Sequence, residues 1–124
     1  MKKWLYLGTL LFSLFIVGTI VSANAGRFPR PLEYLYDFPG GDKAGHFILF
    51  GILSFLLNRS AVEHFAKKVP ARIVLTVSLL LAILIGLEEW SQSLFPSRTM
   101  SLTDLFASYA GVTVFALLVL RSKR

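Results

Sequence analysis

The chain has 124 residues, enough for one small domain; 55% are hydrophobic, 16% are charged, and the mean hydropathy is +0.66. Those values exclude an ordinary soluble domain and point to a membrane class. The net charge is +6 with a pI near 10.0, but the basic residues fall in short clusters between apolar runs. That pattern suits loops facing anionic lipid. It argues against nucleic acid as a partner, since the chain has neither a helical basic stripe nor an RNA-binding motif. There are no cysteines, so disulfides, thiolate metal sites and cysteine nucleophiles are excluded.

In chain order, four apolar runs stand out: roughly Trp4–Ala23, Ala44–Leu57, Ile73–Leu87 and Leu102–Leu120. The first and last have the ~20 residues that cross a bilayer as helix, and the middle two reach that length once their polar ends are counted. The reading is an all-α integral membrane bundle of four transmembrane helices, near 4–23, 43–58, 72–92 and 102–120, forming a single domain over 1–124. No run alternates polar and apolar residues as a membrane barrel requires.

The first run has a rival reading. "MKK", an apolar stretch and then "ANA" at 23–25 resemble a cleaved secretory signal. Its apolar core, Trp4 to Val21, exceeds the usual ~7–15 residues of such signals, so the run is taken as a retained span. After it comes "NAGRFPRPLEYLYDFPGGD", where prolines and glycines break helix. Its aromatic rings suit a segment at headgroup level, with a substrate-contacting lid as the alternative.

The second span opens with "GGDKAGHFILFG". Asp42 and His46 are four apart and share a face if the helix has begun. Asp42 also suits an N-cap, and Lys43 can snorkel to the interface. A histidine inside an apolar span is a functional candidate, usually with a partner. The connector "NRSAVEHFAKKVPAR" follows, basic and ordinary, with His64 solvated.

The third span ends in "GLEEWSQ". Carboxylates at a helix C-terminus oppose its dipole, which prefers cations there. Gln92 lies three after Glu89 and four after Glu88, so either acid can reach its face. The twin acids are expected to meet opposite charge and His46 across the bundle. Trp90 reads as an interfacial anchor. Then "FPSRTMSLTDLFASYAG" carries Arg98, a rigid fork suited to phosphate or carboxylate, and a capping-box-like Ser101 and Asp104. Asp104, Ser108 and Gly111 form one helical stripe, and Ala107 with Gly111 makes a small-xxx-small pair that lets a helix approach.

Loop charge sets the orientation. With the N-terminus cytoplasmic, nine basic residues fall inside and four outside, which favours both termini inside. Six of the seven acids then lie at the extracytoplasmic face: Glu33, Asp37, Asp42, Glu88, Glu89 and Asp104. His46 is about one turn below it.

These motifs resemble those of the VanZ-like membrane proteins. Asp42, Lys43, His46 and Phe47 correspond to the first family motif. Glu89, Gln92, Arg98, Asp104 and Gly111 correspond to the second, with Glu88 matching an acid that often precedes the glutamate. One position departs: Ser108 stands where the family commonly has Asn or Asp. The resemblance implies a cell-envelope setting linked to glycopeptide resistance.

Two functions follow. In the first, Glu89, His46, Asp42 and Asp104 do acid–base work, while Lys43, Arg98, Gln92 and Ser108 hold an anionic, lipid-linked or headgroup-bearing molecule. In the second, the polar residues clip the helices of a non-enzymatic accessory protein that modulates envelope access. A transporter fits less well, because four spans are few and no ionisable residue sits near the midplane. No cofactor is implied, and the paired-histidine spacing of H-E-x-x-H, which would suggest a metal, is absent.

Overall fold

The computed structural model describes residues 2–24, 41–94 and 102–122. The described residues form four helices: α1 (Lys2–Asn24), α2 (Gly41–His64), α3 (Pro70–Ser91) and α4 (Leu102–Ser122), with one 3-10 turn (Gln92–Leu94) extending α3. All four contain a stretch long and apolar enough to cross a membrane. Pro70 starts α3 at a position where its missing N–H is no loss.

Helices α2 and α4 form the central pair and run parallel. Their cross-helix bonds join residues separated by 58 to 63 positions: His46 to Ser108, Ser54 to Val112 and Arg59 to Ser122. Two glycines permit the close packing. A Cβ on Gly111 would strike the carbonyl oxygen of Phe47, and one on Gly51 would meet the Phe115 ring at 2.6 Å. The small-residue pattern around Gly111 therefore does bring a neighbouring backbone close.

Helix α3 lies against both members of the pair, and α1 lies against α2. Tyr109 on α4 donates to the Ala82 carbonyl of α3 at 3.0 Å, over the bare backbone of Gly86. Thr9 and Ser60 hydroxyls meet at 2.7 Å, and Ile16 of α1 enters the core beside Phe50, Leu53, Leu81, Ile85 and Val112. The first run is thus packed as a member of the bundle.

The polarity pattern is inverted relative to a soluble protein. Glu89, Asn58, Ser54, Gln92 and Ser108 are buried, while Leu10, Leu14, Leu79, Leu80, Ile83, Leu84 and Leu117 lie exposed on the outside. Such an apolar exterior belongs in hydrocarbon, where polar groups must find partners within the protein.

One boundary differs from expectation. Helix α2 runs to His64 instead of ending near 58. The segment 58–64 carries neither Gly nor Pro, Val62 is buried in a second core cluster with Val74, Ala116 and Val119, and Arg59 pairs with Glu63 one turn on at 3.6 Å. Tertiary burial and local pairing keep the helix going past the end of the apolar run. His64 is exposed, yet its ring stands edge-on to Phe65 and Tyr6 rather than simply in solvent.

Candidate functional site

Among the described residues, Glu88, Glu89, Gln92, His46, Asp104 and Ser108 occupy one end of the bundle. Tyr109 and Ala82 fix the relative level of α4 and α3. Asp104 is five residues from Tyr109 and Glu89 seven from Ala82, so both lie about 8–10 Å toward the same end at ~1.5 Å per residue. His46, bonded to Ser108, sits on the opening turns of α2 at that end.

At the end of α3 one amide organises two acids. Gln92 Nε2 lies 3.1 Å from both Glu88 carboxylate oxygens and 3.1 Å from Glu89 Oε2. The two carboxylates therefore lie within twice that distance of each other. Glu89 is 2% exposed and Gln92 3%, whereas Glu88 is only half-buried. The pair thus divides as the helical spacing allows, one acid inward and one toward the boundary. Charge-assisted N–H donation offsets part of the dipole penalty. The hydroxyls of Ser91 and Ser93 bond the carbonyls of Glu88 and Trp90, which also accept backbone N–H groups at the helix end. Trp90 is exposed, as an interfacial ring should be.

On the facing pair, His46 meets α4. Its Nδ1 is 3.0 Å from Ser108 Oγ, and its Nε2 is 3.9 Å from Asp104 Oδ2. Its ring also lies over Phe50, with centroids 5.8 Å apart. Ser108 is 1% exposed and donates back to the Asp104 carbonyl at 3.1 Å. The hydroxyl expected to face a ligand is thus engaged inside the bundle.

The expected partners of His46 need correction. The twin acids were expected to meet it across the bundle, but its polar neighbours are Asp104 and Ser108, and the described bonds of Glu88 and Glu89 run to Gln92. Spacing along one helix cannot show which residue of another helix stands opposite. The side chains of Asp42 and Lys43, and Arg98 with its loop, lie outside the described residues. Among the described residues, no group of three or more acidic, His or Cys side chains is placed to hold a metal ion.

Sequence reasoning passed over a second polar layer. Asn58, fully buried, donates to the Ser54 carbonyl and hydroxyl at 2.9 and 3.1 Å and reaches Ser78 on α3 at 3.4 Å. Ser54 donates to the Val112 carbonyl at 2.9 Å. The available signal was a serine and an asparagine one helical turn apart, but Asn58 falls just beyond the apolar run and reads as connector.

The chain matches no family model, no curated protein and no solved structure.

Proposed function

We propose that the chain is a VanZ-like integral membrane protein of the cell envelope, with its polar site at the extracytoplasmic face. The site binds or modifies an anionic molecule that is lipid-linked or carries a headgroup. The observation that carries this reading is the buried Glu89, held by Gln92 at the same end of the bundle as His46 and Asp104. A buried carboxylate at the same end as a histidine–carboxylate pair is a costly arrangement in an apolar bundle, and such arrangements concentrate at functional sites. Helices α2 and α4 both begin at this end, and the positive dipole ends of the two helices favour an anion. Lys43 and Arg98 are the cations proposed to clamp it, Glu89 the general acid or base, and His46 the proton relay.

The accessory reading, in which the polar groups clip helices together, draws on the cross-helix bond from His46 to Ser108. The described bonds of Gln92 join residues three and four apart on one helix, so they order the acids without joining helices. Interhelical polar contacts in membranes average only ~0.6 kcal/mol, a small return for burying these charges.

Glu89→Gln and His46→Ala, made singly, separate the two. Folded yield in detergent and an envelope-antibiotic phenotype are measured together. Normal yield with the phenotype lost is the expected result. A parallel loss of yield and phenotype would replace the site by the clip.

A further inference from the structure

The hydrogen atoms around Ser108 can be counted. Its hydroxyl has one hydrogen and two polar neighbours: the Asp104 carbonyl at 3.1 Å and His46 Nδ1 at 3.0 Å. A carbonyl oxygen only accepts, so the hydroxyl hydrogen goes there. The lone pairs of the same oxygen then face Nδ1, which must carry a hydrogen and donate it. The opposite assignment would set two lone-pair oxygens against each other at 3.1 Å and would gain only the longer approach of Nε2–H to the Asp104 carboxylate at 3.9 Å.

We propose that Ser108 is a positioning residue that fixes His46 as the Nδ1–H tautomer, leaving Nε2 as the nitrogen through which His46 exchanges protons. Nε2 is the atom that faces the Asp104 carboxylate at 3.9 Å. The acid that serves His46 is then Asp104, on another helix. The other nitrogen is closed off, because Ser108 is 1% exposed and Nδ1 points into it. Phe50, 8% exposed, lies along the ring and limits its rotation. The arrangement explains how a short hydroxyl can stand on this stripe without touching a ligand: its work is done on the imidazole. The tautomer is fixed by geometry alone, whereas proton exchange at Nε2 rests on the function proposed above.

The test is nuclear magnetic resonance of the full chain in lipid nanodiscs, with histidine labelled in the ring nitrogens. His46 and His64 are the only two histidines, and His64→Asn, at an exposed position remote from the site, assigns the remaining signals to His46. At a pH where the ring is neutral, the couplings of each nitrogen to the ring C–H hydrogens tell Nδ1 from Nε2. The wild-type ring is expected to carry its hydrogen on Nδ1. Ser108→Ala is expected to move the population toward Nε2–H, which free histidine prefers, and Ser108→Thr to keep Nδ1–H. A wild-type ring protonated on Nε2 would overturn the assignment, even if Ser108→Ala failed to fold. So would a Ser108→Ala ring with an unchanged tautomer. Neither outcome depends on the phenotype, so the proposed function and the tautomer fail separately.

Discussion

Asn58 shows what a single buried polar group costs in this setting. Its amide nitrogen has three acceptors nearby, while Oδ1 is buried without a hydrogen-bond partner. The donor half contributes on the order of 0.6 kcal/mol, up to about 1.7, for contacts of this kind in a membrane. The acceptor half carries a desolvation cost that works against it. Asn58→Leu, which fills the volume and removes both halves, is therefore expected to destabilise less than Asn58→Ala, which also leaves a void. Unfolding titrations in mixed micelles check the order, and Asn58→Ala proving the milder change would contradict it. Glu89 differs in kind, since its oxygen has a donor in Gln92 and its burial follows from facing the bundle.

Among the elements, the α2–α4 pair sets the site. His46 and Ser108 can bond only because the two backbones approach closely one turn deeper, where Gly111 lies on the Phe47 carbonyl. A methyl group there has only backbone to push against. Gly111→Ala is expected to cost at least the 1–3 kcal/mol that overpacking typically brings, roughly, and to lengthen the His46–Ser108 contact. Gly86 offers a contrast. A methyl group there would meet the Tyr109 hydroxyl at 2.9 Å, the far end of a side chain that can turn aside. Gly86→Ala should cost less, mainly the bond from Tyr109 to Ala82. Thermal unfolding of both variants in one detergent gives the comparison, and equal losses would argue against a backbone contact as the limiting feature. Helix α2 also shows why hydropathy alone misplaces an end: its last turns are held by Val62 in the core and by Arg59, which reaches both Glu63 and Ser122.

For the whole molecule, the inverted polarity says that lipid surrounds the bundle, and the orientation proposed from the charge bias is open to a direct test. With both termini cytoplasmic, a cysteine introduced at Ser97 should react with a membrane-impermeant thiol reagent added outside intact cells. The natural chain has no cysteine to compete. Reaction only after lysis would reverse the topology and move the proposed site to the cytoplasm. The four membrane-length helices among the described residues were legible from the sequence because apolar length is a local property. So was the reach of both glutamates to Gln92, because the spacing of Glu88, Glu89 and Gln92 is a helical one. The partner of His46 was not legible, nor was the Asn58 layer, because both depend on which residue of α4 or α3 stands opposite α2. By itself the sequence determined the spans, their lipid-facing character and the list of polar residues at one end. Only the tertiary structure decided that His46 faces Asp104 and Ser108, since the parallel register of α2 and α4 is set by backbone approach at Gly111, and the small-residue pair there shows that a helix can approach but not which helix or in what register.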